Sequence, residues 1–114
     1  MTQYHEPANE LSGKTRDVTR ALISLKEEIE AIDWYNQRID GTDDEGLRQI
    51  LEHNRDEEIE HACMALEWLR RNMGAWDENL KTYLFTEGNI TELEEGEEDE
   101  DQEMDSDLGI GKIE

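Results

Sequence analysis

The chain is short of almost everything that would tie, stiffen or bury it. It has 114 residues, with one cysteine (Cys63), one proline and 6% aromatics. A single cysteine excludes an internal disulfide framework, and its neighbours supply no thiol-chemistry motif. No window of about 18 residues is free of charge, so no segment qualifies as a membrane-spanning helix. The opening MTQYHEPANE is polar and lacks a basic-then-apolar leader, and a cytosolic protein is expected. Bases are scarce as well: 11 Lys and Arg stand against 32 Asp and Glu, a net charge of −21. Such a surface repels phosphate backbones and anionic lipid, which excludes nucleic acid and membrane as partners and leaves cations as the natural counterpart. The length allows one domain at most.

What is present is helical patterning. Val18, Leu22, Leu25, Ile29, Ile32 and Ile39 follow a three-four spacing, which predicts an amphipathic helix that begins between Asn9 and Thr15 and runs to about Arg38. Asp40-Gly41 ends it, with Gly41 expected in the left-handed conformation, and Thr42-Asp-Asp-Glu45 has the form of a capping box. So short a connection makes the two helices antiparallel neighbours. The second helix carries Leu47, Ile50, Leu51, Met64, Ala65, Trp68 and Leu69 on one side, and closes on Arg70, Arg71 and Gly74. A third helix is expected from Ala75 to Phe85, with Trp76, Leu80, Tyr83 and Leu84 on one face. The fold class is therefore all-α: an antiparallel two-helix hairpin plus a short helix.

Charge divides the chain unevenly. Residues 1–86 hold 19 acids and 10 bases, or −9, whereas residues 87–114 hold 13 acids and one base, or −12. The expected organisation is a helical domain over 1–86, a disordered acidic linker over 87–107 and a separate peptide over 108–114. In that last peptide, LGIGKIE, the apolar residues Leu108, Ile110 and Ile113 break the acidic pattern.

The anomaly lies in the apolar stripes. Projected at about 100° per residue from Leu47, Glu58 falls at about 20° and His61 at about 320°, inside the stripe. Glu28 falls inside the stripe of the first helix, with Tyr35 just below it. In an antiparallel hairpin Glu28 and Glu58 are roughly equidistant from the turn and come level. A carboxylate carried into an apolar interface must take up a proton or find a cation. One Glu from one helix plus Glu-x-x-His from another is half of the ligand set of a carboxylate-bridged di-iron or di-manganese site in a four-helix bundle, and a two-fold dimer would supply the other half. The oxygen-rich donor set suits iron or manganese rather than a thiolate-preferring metal. A plainer reading has Glu58 and His61 bonding each other. His53 and His5 lie away from this set and read as ordinary polar residues.

At this point the chain resembles the encapsulated ferritins, through EEIEAIDWY (Glu27 to Tyr35), HNRDEEIEHA (His53 to Ala62), LEWLRRN (Leu66 to Asn72) and TYLFTEG (Thr82 to Gly88). The resemblance implies a ferroxidase that oxidises Fe(II) with dioxygen at a di-iron centre shared by two subunits. Glu28 and Glu58 would bridge or ligate iron, His61 would be a terminal ligand, and Tyr35 would lie close by. It also implies a ring of five dimers housed inside an encapsulin shell, with the hairpins completing ferritin-like four-helix bundles by dimerisation. Glu27, Glu30 and Trp34 match positions where metal is attracted on its way in, although Glu27 and Glu30 also read as a solvated helix face. The terminal Leu108, Ile110 and Ile113 resemble a cargo-loading peptide for the shell. Ile59, Cys63 and Leu66 lie outside the main stripe and would suit a second subunit contact. Two other readings stay open: peroxide chemistry at a di-metal centre, and a non-enzymatic acidic adaptor.

Overall fold

The computed structural model describes residues 4–94. Those residues form a 3-10 turn (Ala8–Glu10) followed by α1 (Gly13–Gly41), α2 (Glu45–Asn72) and α3 (Gly74–Tyr83), with no strand among them. The fold is all-α, as expected. The chain parts into two compact units, Met1–Asn72 and Met73–Glu114; the expected 1–86 domain thus spans the first unit and α3 of the second. No helix is long and apolar enough to cross a membrane among the described residues.

In the first unit, α1 starts at Ser12, whose hydroxyl accepts from the Thr15 amide at 3.0 Å and so satisfies one of the free N–H groups of the first turn. Its far end departs from expectation. Gly41 is the last helical residue and does not enter the left-handed region; the chain leaves through Thr42 in an extended conformation (φ −98°, ψ 142°). The terminal carbonyls are taken up by a side chain instead: the Arg48 guanidinium donates to the Ile39 carbonyl at 3.4 Å and also to that of Thr42. With those acceptors satisfied, a left-handed residue is not needed.

The expected capping box is also replaced. Asp44, not Thr42, caps α2, its Oδ1 accepting from the Leu47 amide at 2.8 Å while its carbonyl accepts from Arg48 N at 2.9 Å. Thr42 Oγ1 accepts from the Asp44 amide at 3.1 Å and shapes the turn, and Glu45 pairs with Arg48 at 2.9 Å rather than reaching back. The helix then runs for 28 residues, about 42 Å at 1.5 Å per residue. At its end Asn72 Nδ2 donates to the Trp68 carbonyl at 2.8 Å. Gly74, expected to close α2, opens α3; the break falls at Met73, whose backbone is extended (φ −139°, ψ 111°).

α1 and α2 lie antiparallel and share one seam. Polar ties cross it along its length, from Arg48 at the turn to Lys14 at the open end, where Lys14 Nζ donates to Asn72 Oδ1 at 2.6 Å and sits 5.8 Å from the Trp68 ring centroid. The seam buries little. Leu69 alone among the described residues is fully enclosed, while Leu22, Ile29, Leu47 and Ile50 remain 40–59% exposed. The stripes were expected to be core. Two helices provide a single contact line, and an apolar stripe wider than that line keeps its remaining flank in solvent.

In the second unit, Trp76, Leu80 and Tyr83 of α3 are partly covered, and Leu84 is exposed. The helix stops at Tyr83, two residues before the expected end. Thr86 Oγ1 donates to the Tyr83 carbonyl at 2.7 Å, and Phe85 turns into the left-handed region (φ 59°) with its ring fully exposed. Gly88 (φ 91°) turns the chain again, and Asn89 then accepts from the Thr91 amide at 3.0 Å and caps a helical stretch over 90–94. That stretch lies inside the expected linker: a local cap outweighs the acidic composition there. The rest of the linker, and Leu108, Ile110 and Ile113, lie outside the described residues.

Candidate metal centre

Midway along the seam the two helices bring three donor groups together. Glu58 and His61 are one turn apart on α2, and Glu28 faces them from α1. One ligand atom from each lies within 4.8 Å of the other two, and no second group of three or more His, Cys, Asp or Glu side chains converges in this way among the described residues. His61 Nδ1 is 3.6 Å from Glu28 Oε2 and 4.0 Å from Glu58 Oε2. Both distances exceed hydrogen-bond length, so His61 is not tied to either carboxylate by an ordinary hydrogen bond. An ion about 2.1 Å from each of two ligands holds them about 3–3.5 Å apart, and the observed gaps are only slightly wider.

Burial sharpens the point. The Glu28 and Glu58 side chains are about a quarter exposed (24% and 25%), His61 rather more (44%). Glu28 Oε2 is enclosed and has no hydrogen-bond partner. A buried carboxylate oxygen without a donor is costly. The Glu28 carboxyl is accordingly held above its ordinary value: when protonated it hydrogen-bonds Glu58, burial and the Glu58 charge act in the same direction, and His61 opposes them. Glu67, further along α2, shows the contrast. Its carboxylate takes hydrogen bonds from Arg70 (2.7 and 2.8 Å) and Arg71 (2.7 Å), which hold its pKa down at about 2. Glu67 already has its two arginines, whereas Glu28 has only the His61 imidazole, 3.6 Å away.

The other residues singled out in the sequence fall around this centre. Tyr35 is half-buried about 10 Å further along α1, its ring 5.3 Å from the Arg38 guanidinium carbon. Glu27, Glu30 and Trp34 are all exposed, and the two acids do not join a second converging cluster. His5 and His53 are exposed, His53 lying 3.4 Å from Glu57. Ile59 and Cys63 are exposed and Leu66 half-buried; Cys63 lines an open groove with Met64 and Trp68. Two residues carried no signal in the sequence: Arg55, one turn before Glu58, donates at 3.1 Å to Asn36, which lies about 12 Å along α1 from Glu28. Neither stands in an apolar stripe or a ligand motif, so periodicity passes over them.

Comparison with known proteins supplies the family. The EncFtn-like family profile matches residues 3–87. The chain is 63% identical over 111 residues to a "Ferritin-like protein" of Thermotoga maritima, covering 97% of both chains. It is 58% identical over 90 residues to an "Encapsulated ferritin-like protein" of Rhodospirillum rubrum, covering 79% of this chain and 64% of that one. Among solved structures, protein ne0167 of Nitrosomonas europaea superposes with a TM-score of 0.76 at 57% identity, over 78% of this chain and 98% of that one. On the profile match and these identities, the chain belongs to the EncFtn-like family of encapsulated ferritin-like proteins.

Proposed function

We propose that the protein is a ferroxidase whose catalytic centre forms between two copies of the chain, with Fe(II) as substrate and dioxygen as electron acceptor. The observation that carries this reading is the enclosed Oε2 of Glu28, set beside Glu58 and His61 with no donor within hydrogen-bond distance. One chain offers three protein ligands. Two copies related by a two-fold axis offer four carboxylates and two imidazoles, enough for two irons, and would also cover the exposed flanks of the stripes.

Each residue has a role in this scheme. Glu58 and Glu28 are hard anionic donors that favour Fe(III) over Fe(II), and His61 completes the set on each iron. Iron binding competes with protonation of Glu28, which burial and the neighbouring Glu58 favour. Two Fe(II) release two electrons, which with two protons carry one dioxygen to hydrogen peroxide. Tyr35, about 10 Å along α1 from Glu28, is assigned to the surroundings of the centre by family resemblance alone, and the exposed Glu27, Glu30 and Trp34 mark a face that draws cations towards it. By family resemblance the dimers close into a decameric ring, and the chain is housed in an encapsulin shell that it joins through Leu108, Ile110 and Ile113. An open ring of hairpins needs such a compartment to retain the mineral.

Anaerobic Fe(II) titration followed by oxygen tests the reading, with Fe(III) absorbance and mass by light scattering followed together. Saturation at one iron per chain, with rapid oxidation in a dimer or larger species, is the expected result. A folded protein that takes up no iron would instead behave as an acidic adaptor.

A further inference from the structure

The apolar contacts along the α1–α2 seam are non-directional and the three-residue turn between the helices sets their register only coarsely, so the fine register depends on polar ties across the seam. Sliding matters at this site. A slip of one residue shifts a side chain by about 1.5 Å along the axis, a large step for three ligand atoms that converge within 4.8 Å.

The polar ties across the seam are unevenly placed. Lys14–Asn72 lies about 21 Å along α2 from Glu58, and the Arg48 contacts hold the turn about 15 Å away on the other side. The Arg55–Asn36 tie is the nearest of the three, Arg55 lying about 4.5 Å from Glu58 along α2 and Asn36 about 12 Å from Glu28 along α1. Arg55 Nη1 donates to Asn36 Oδ1 on α1 at 3.1 Å, and its Nε donates to Asp56 Oδ1 at 3.2 Å. The Arg55 side chain is 29% exposed against 67% for Asp56, so its stem is held against the seam while Asp56 braces the guanidinium from outside.

We propose that Arg55 is a positioning residue for the metal centre: by donating to Asn36 it locks the register of α1 against α2 and keeps Glu28 level with Glu58 and His61. The inference rests on the metal-binding reading of those three residues. It has a counter-intuitive sign. Simple electrostatics says that removing a nearby cation strengthens binding of a metal ion, whereas loss of a register lock weakens it.

The experiment is Mn(II) titration calorimetry on the full chain, with helix content and mass recorded for each variant. Arg55→Leu, which keeps most of the stem, and Asn36→Ala, which changes no charge, each lower Mn(II) affinity about 3–10-fold, the scale of one solvent-exposed hydrogen bond. The double variant binds no more weakly than the weaker single one, because both break the same tie. Asn36→Asp, which keeps an acceptor for Arg55, holds wild-type affinity. Unchanged or tighter binding in either single variant, or losses that add in the double, overturns the proposal. Asn36 is exposed, so Asn36→Ala carries the test if Arg55→Leu fails to fold. A wild-type protein that binds Mn(II) yet leaves Fe(II) unoxidised refutes the ferroxidase reading and leaves this inference standing; one that binds no Mn(II) refutes both.

Discussion

Glu28→Gln separates a metal site from a polar network, because the two arrangements assign opposite signs to the change. The substitution keeps the volume and removes the charge. Glu28 is held above the ordinary carboxylate value of about 4.5, so the stability tied to its protonation is complete below that value and is lost as pH rises through the raised one. At neutral pH, then, a neutral amide is easier to accommodate than the carboxylate, and the metal-free variant should melt at or above the wild-type temperature. Metal reverses the order. At free Mn(II) near 100 times Kd, binding stabilises the wild type by about 2.7 kcal/mol. At roughly 4–8 °C per kcal/mol this raises Tm by about 11–22 °C. Losing a charged ligand should weaken binding by on the order of 100-fold. The variant then sits near its own Kd and gains about 0.4 kcal/mol, or roughly 2–3 °C. Thermal melts followed by circular dichroism, with and without Mn(II), read both effects. A variant that melts several degrees low without metal would show Glu28 holding His61 as a simple partner; one with the full metal-induced rise would show that Glu28 is not a ligand.

Leu69→Ala removes the one fully buried side chain among the described residues and should cost about 2–5 kcal/mol in urea melts at fixed protein concentration, so a loss below 1 kcal/mol would place the core elsewhere. Asp44→Ala should lower stability by about 1 kcal/mol through loss of the α2 cap, with Thr42→Ala clearly milder; the reverse order would restore the capping box. The Glu67 carboxyl should titrate at about 2 by carbon-detected NMR and move up more in Arg70→Ala than in Arg71→Ala. Its depressed value means that its contribution is present above the ordinary carboxylate range and lost as pH falls through about 2, and a midpoint near 4.5 in the wild type would contradict the paired arginines.

The sequence made the hairpin and its centre legible for one reason: both depend on period and distance from the turn. Leu22, Leu25, Ile29 and Ile32 mark the face of α1, and the short turn at Thr42–Asp44 forces antiparallel pairing. Once those hold, Glu28 comes to roughly the level of Glu58 and His61, where the three converge. Periodicity reports which side of a helix is apolar but not how many neighbours share that side, which is why Ile29 and Ile50 appear in the stripe yet stand 55% and 59% exposed. The ends of the helices were harder to read. Arg48 reaches back nine residues to Ile39, and Asn72 caps its own helix, through long or flexible side chains whose targets no local motif encodes. Composition misled over 90–94 for a related reason: an average over many acidic residues conceals one well-placed Asn89. Arg55 and Asn36 belong to the same class, a hydrogen bond between residues 19 apart that leaves no trace in spacing.

The Arg48 clamp has a consequence for the order in which the hairpin closes and opens. Its contacts span six and nine residues, whereas Lys14 and Asn72 are 58 apart. Loop-closure entropy makes the longer closure less favourable by roughly 1.5 kcal/mol when each tie forms alone. The hairpin therefore zips from the turn outwards, and fraying begins at the open end, where Ser12 and Asn72 lie. Glu28 and Glu58 sit between these limits. Thermal breathing reaches them only after the Lys14 latch has been released, so the chain can lose its outer turns and still keep the metal ligands facing one another.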